Sequence, residues 1–228
     1  MSAASTQPRP NYVRDGRAGA TVADMLESLG NVPATRVLLH PSPGTATESD
    51  LLHEIEQNDR LVELVDHTLV EKGMGAYEDV VSLAVAATLR SFVTERRLGI
   101  VGGAQSPLRM RSSNVRLPDA YFISADRLPG GVVPRDAVFT IGLDLAIEVL
   151  SSGNTPQEML QKRQEYFATG AQQVWEIDPT ARTFAVYTSP DTHTTLTATD
   201  TLTGGTLLPG FELPLARLWQ EIDHPLGK

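Results

Sequence analysis

The 228 residues include no cysteine, and 28 acidic against 19 basic side chains give a formal charge of −9. A disulfide framework and a thiolate metal site are therefore excluded, and the acidity argues against a surface that holds nucleic acid by bulk electrostatics alone, though a local basic patch stays open. With 41% hydrophobic residues, the length suits one ordinary domain with an arm or two small domains. We read one domain over 19–228.

His40, His53, His67, His193 and His224 form no helical His-x-x-x-His pair, which argues against a histidine zinc site. The N-terminus lacks an apolar signal segment, and no run approaches the roughly 18 residues of a membrane span, so the expected location is cytoplasmic with no membrane partner.

The polar stretch 1–18, with Pro8, Pro10 and Gly16, reads as a disordered N-terminal arm. Thr21 to Leu29 has apolar residues at helical spacing, a capping threonine and Gly30 as a stop. After the Pro/Gly-rich loop His40 to Ala46, Thr47 can cap a helix over 48–58, with Leu51, Leu52 and Ile55 as its apolar stripe. Leu61 to Val65 and Thr68 to Glu71 read as a hairpin around Asp66-His67. That turn is unusual, because two-residue hairpins need positive φ at both central positions and histidine suits it less than glycine.

Tyr77 to Arg97 is the strongest helix, striped by Val81, Val85, Leu89 and Phe92, with Gly99 placed to cap it. Glu78 in its first turn is favoured by the helix dipole whether or not it has a function. Leu98 to Val101 and Leu108 to Arg111 read as short strands separated by a Gly102-Gly103 turn. Val115 to Ile123 is apolar and β-prone, yet contains Asp119, which can also simply close a Pro-Asp turn.

Leu143 to Leu150 reads as a buried strand carrying two acids, Asp144 and Glu148, on one face with Ala146. An unpaired buried carboxylate costs several kcal/mol or becomes neutral, so a cation, metal or lysine, is expected beside them. Thr155-Pro156-Gln157-Glu158 then has capping-box spacing with proline at the first helical position, and Gly170 ends a helix over 156–169. Lys162 and Tyr166 share a face of it, although a lysine among apolar neighbours often only snorkels to water. Gln173 to Ile177 and Thr183 to Thr188 pair around Asp178-Pro179, Thr192 to Thr197 can extend that sheet, and Pro214 to Ile222 closes the chain as an amphipathic helix.

This order gives an α/β fold, a mixed sheet with helices on its faces. If the two acidic strands are neighbours, Asp119 and Glu148 approach each other and a divalent cation between them relieves their repulsion; otherwise they are separate surface positions. The helix beginning at Pro156 can bring Lys162 to the same place. Two acids and a lysine around a hard cation suit phosphodiester hydrolysis, with Glu78 as a fourth candidate.

From Thr21 to Trp219 the chain resembles the Uma-two family, restriction-endonuclease-like members of the PD-(D/E)XK nuclease superfamily. The resemblance rests on Arg60 to Asp66, Leu69 to Glu71, Leu117 to Asp119, Asp144 to Ser151, Lys162 with Tyr166, and Val174-Trp175 with Asp178-Pro179. It implies a restriction-endonuclease-like mixed sheet, Asp119 and Glu148 as metal ligands, Lys162 as the catalytic lysine and Glu78 as an assisting glutamate of the first core helix. The superfamily's usual lysine position, two residues after the second acid, is here Leu150. The resemblance further implies Mg²⁺ or Mn²⁺ as cofactor, DNA as the partner and, for double-strand cleavage, a homodimer. Asp144 matches a family acid without a derived task, and His67 and Leu143 depart from the usual glycine and proline. The competing reading is a catalytically silent nuclease-like fold that binds nucleic acid or protein.

Overall fold

The computed structural model describes residues 21–73 and 75–224; the expected arm over 1–18 lies outside them. Helix α1 (Val22–Ser28) and helix α2 (Glu48–Asn58) each begin with a reciprocal capping box, Thr21 with Asp24 and Thr47 with Asp50. Strands β1 (Val62–Val65) and β2 (Thr68–Glu71) form the hairpin. Its turn residues Asp66 and His67 both take positive φ, 47° and 58°, so the chain adopts the left-handed turn without glycine.

Helix α3 (Ala76–Arg96) leads to β3 (Gly99–Gly103), β4 (Leu108–Arg109), β5 (Val115–Arg116), β6 (Ala120–Ser124) and β7 (Leu145–Val149). Helix α4 (Pro156–Thr169) follows, then β8 (Gln173–Asp178), β9 (Thr183–Tyr187), β10 (His193–Leu196), β11 (Thr201–Gly204), β12 (Leu208–Pro214) and α5 (Leu215–Asp223).

The strands form a four-stranded sheet ordered β2-β1-β5-β4, a six-stranded sheet ordered β10-β9-β8-β7-β6-β3 and the β11-β12 hairpin. In the large sheet β6 runs antiparallel to β7, while β7 and β8 are parallel. Parallel neighbours need a crossover, and α4 supplies it. One face of this sheet packs Phe122, Ile147 and Trp175 against Val81, Val85 and Leu89 of α3 and Leu218 and Trp219 of α5. The other face, with Tyr121, Ala146 and Val174, receives Tyr166 of α4. The smaller sheet packs Leu64, Leu69 and Val115 against Leu51 of α2. This is the mixed α/β architecture expected from the order of elements.

Three local expectations are corrected. Gly102-Gly103 is not a turn but the end of β3, and β4 belongs to the other sheet. A Cβ on Gly102 would lie 2.1 Å from the Tyr121 ring, so the glycine makes room for a buried aromatic across the ladder. The cap of α3 is Arg97, in the left-handed conformation at φ 56°, and not Gly99. The β-prone run 115–123 divides: β5 lies in the small sheet, β6 in the large one, and Leu117-Pro118-Asp119 carries the chain between them. Proline, which has no N–H to give a ladder, marks the break.

Candidate active site

The register that pairs Ala120 with Ile147 and Tyr121 with Ala146 sets Asp119, one residue before β6, beside Glu148. Asp119 Oδ2 accepts a 2.6 Å hydrogen bond from the Val149 amide. Glu148 faces α4, whose start follows from its capping box and proline at the first turn. Helical spacing brings Lys162 and Tyr166 down together onto the sheet. Lys162 Nζ lies 3.3 Å from Glu148 Oε1, and the Tyr166 hydroxyl donates to the same oxygen at 2.5 Å. Thus Asp119, Glu148 and Lys162 converge, at 4%, 3% and 1% exposure.

Glu78 does not join them. Among the described residues it makes no hydrogen bond or ion pair with these three, and its carboxylate folds back over the helix cap, 2.3 Å from where a Cβ on Gly75 would stand. That position is the dipole-stabilised one. Asp144, at the other end of β7, accepts hydrogen bonds from the Ser124 amide at 2.8 Å, Arg127 Nε at 2.8 Å and Gln172 Nε2 at 3.1 Å. Its task is structural: it ties the ends of three neighbouring strands together and takes arginine as its counter-charge.

Two further residues complete the cluster, and neither carried a functional expectation. Glu63 of β1 forms an ion pair with Lys162 Nζ at 3.1 Å and accepts hydrogen bonds from Arg116 at 2.9 Å and the Leu117 amide at 3.0 Å. Lys72, just beyond β2, has its ammonium 2.7 Å from Asp119 Oδ1 and also donates to the Leu117 carbonyl. An acid inside the apolar run Leu61 to Val65 was the signal for Glu63, the same one that marks Glu148. For Lys72 no local signal exists, because a lysine at a strand end usually meets water.

Charge and burial set the protonation pattern. Burial pushes the Glu148 carboxyl up to about 7; Lys162 and Lys72 oppose that rise, and Asp119 and Glu63 add to it. Burial would raise Glu63 too, but Lys162, Arg116 and Lys72, with the Leu117 amide, hold it well below the usual carboxylate range. Burial disfavours the Lys162 ammonium, yet Glu148, Glu63 and Glu158 outweigh it and push Lys162 above its ordinary value. Lys162 is therefore held in its ammonium form, a cation and hydrogen-bond donor.

The start of α4 is lashed in place by Arg36, which pairs with both Glu158 oxygens at 2.8 and 3.0 Å and donates to the carbonyls of Glu71 and Gly153. Glu158 serves at once as capping-box acid and as arginine partner. A cleft of about 410 Å³ runs between the Asp66-His67 turn, Asn114 and the α4 side chains Gln164 and Glu165. It reaches the cluster only through Glu165, which takes a 2.6 Å hydrogen bond from Arg116; Asp119 and Glu148 do not line it.

The donor set fits a hard divalent cation. Asp119 Oδ1 is buried and lacks a hydrogen bond of normal geometry, and Glu148 stands beside Asp119 in the register of β6 and β7. Among the described residues no group of three or more histidine, cysteine or acidic side chains is placed to hold a metal ion. Mg²⁺ commonly binds through one or two carboxylates, with water and substrate phosphate completing its shell, so two acids suffice.

Comparison with known proteins agrees with this fold. A family model, Uma2, described as "Putative restriction endonuclease", matches residues 48–216, well over half the chain, and the chain belongs to that family. A solved structure, described as "a putative nuclease belonging to DUF820 from Anabaena variabilis ATCC 29413", matches with a TM-score of 0.65 at 17% identity, covering 76% of this chain and 97% of its own. No curated protein matches. The chain therefore has a restriction-endonuclease-like nuclease fold. No helix among the described residues is long and apolar enough to cross a membrane.

Proposed function

We propose that the protein is a Mg²⁺- or Mn²⁺-dependent endonuclease that hydrolyses phosphodiester bonds in DNA, acting in the cytoplasm as a homodimer. The observation that carries this reading is the convergence of Asp119 and Glu148 from neighbouring strands with the buried Lys162 ammonium 3.3 Å from Glu148. Asp119 and Glu148 would hold the cation, which when bound supplies a nucleophile at neutral pH and stabilises charge on the phosphate.

The chain's own part is positioning and electrostatics. Lys162, held protonated by Glu63 and Glu148, donates toward the attacking water and the phosphate oxygens; Tyr166 fixes the Glu148 carboxylate through Oε1. Water forms a new P–O bond as the ester P–O bond breaks, and the proton lost by water is balanced by one gained by the leaving oxygen. A two-fold dimer would match the symmetry of a duplex.

The burial of all three groups favours a second reading, a silent fold that binds nucleic acid or protein without turnover. Purified full-length protein incubated with plasmid DNA, linear DNA and RNA in Mg²⁺ or Mn²⁺ separates the two. The nuclease reading expects metal-dependent DNA cleavage that Lys162→Met abolishes while Mn²⁺ still binds, and Mn²⁺ binding that Asp119→Asn and Glu148→Gln remove. Absence of cleavage on every substrate, with metal binding indifferent to both acids, sinks it.

A further inference from the structure

The roles assigned so far leave Lys72 without one. Its side chain is 3% exposed, with the ammonium 2.7 Å from Asp119 Oδ1. Because the Val149 amide occupies Oδ2, Oδ1 is the Asp119 oxygen available to a divalent ion, and it is the one that Lys72 faces. The contact is an ion pair without hydrogen-bond geometry.

Glu63, Asp119, Glu148 and Glu165 face Lys72, Lys162 and Arg116, four carboxylates against three cations. A divalent ion entering this cluster still meets strong repulsion from ammonium groups a few ångströms away. Lys162 is bound by two carboxylates from the middle of α4, whereas Lys72 pairs with Asp119 from the chain segment beyond β2.

We propose that Lys72 is the resident cation of the metal site: its ammonium compensates Asp119 in the metal-free protein and leaves that carboxylate when the divalent ion binds. This rests on the metal site proposed above. Metal affinity is then set partly by a competition built into the chain, and Lys72 is a binding-site residue in its own right.

The test uses the full chain and Mn²⁺. By calorimetric titration, Lys72→Met and Lys72→Gln should bind Mn²⁺ at least about tenfold more tightly than the unaltered protein, because a competing charge is gone. Their melting temperature without metal should fall and should recover on adding Mn²⁺. Should both variants fail to fold, the unaltered protein still decides: acetylation of lysines followed by mass spectrometry should show Lys72 modified faster as Mn²⁺ saturates, with Lys162 protected throughout.

Equal or weaker Mn²⁺ binding by the variants, or Lys72 labelling that is unchanged or reduced by Mn²⁺, overturns the proposal. Asp119→Asn and Glu148→Gln distinguish the level of failure. If they bind Mn²⁺ like the unaltered protein, the metal site itself is wrong and this inference falls with it; if they lose binding while Lys72 does not respond, only this inference falls.

Discussion

Replacing Glu148 by glutamine removes the one carboxyl of the cluster that burial pushes into the neutral range while keeping its shape. In the metal-free protein that carboxyl titrates at about 7 against an ordinary 4.5. The folded state therefore binds a proton more tightly than the unfolded one, and the associated stability is complete below the unfolded value and lost as pH rises through the folded one. At about 1.4 kcal/mol per pH unit the full effect is about 3 kcal/mol, most of which falls between pH 5 and pH 8. Glutamine cannot titrate. Urea unfolding with chelator present, repeated from pH 5 to pH 8, should show the unaltered protein losing that amount relative to Glu148→Gln. Parallel pH profiles for the two proteins would refute the assignment of a raised carboxyl to this position.

Three other outcomes follow from the geometry. Arg36→Ala breaks a buried pair and strips Glu158 of its counter-charge, so unfolding should become easier by about 3 kcal/mol, with faster amide exchange at the start of α4. Gly102→Val drives a side chain into the Tyr121 ring and should cost about 2 kcal/mol by chemical denaturation, whereas Gly103→Ala, whose Cβ would find its nearest neighbour at 3.9 Å, should be nearly neutral. Glu78→Gln should leave Mn²⁺ affinity within about twofold by calorimetry and cost about 0.5 kcal/mol of stability through the helix dipole; a large loss of affinity would bring Glu78 into the site after all.

Much of this architecture was legible because local chemistry and global packing agree. The capping box Thr155 to Glu158, Pro156 and Gly170 bracket α4 so well that its span follows from the residues alone. Glu148 announces itself as an acid in an apolar strand, and the strand alternation places it on the face that α4 covers. The break in 115–123 was harder. A β-prone run gives no sign that its two halves belong to different sheets, although Pro118 marks the place. Gly102 reads as a turn residue until Tyr121 lies across it. Glu63 carried the same signal as Glu148 but sits in a short hairpin strand where one acid of five residues passes as ordinary alternation. Lys72 was out of reach, because its partner Asp119 is supplied by a segment that only the folded topology brings near.

The interleaving of chain segments in the cluster has a kinetic consequence. Glu63 and Lys72 come from the first hairpin, Asp119 from the crossing between sheets, Glu148 from β7 and Lys162 from α4. Closing such long loops is entropically costly, and the charges lose water only when both sheets and the helix have docked. These pairs are expected to form after the principal barrier to folding has been crossed. Substitutions among them should act on the lifetime of the native state, steepening the escape from it, while the speed at which the chain first collapses to this fold stays nearly the same.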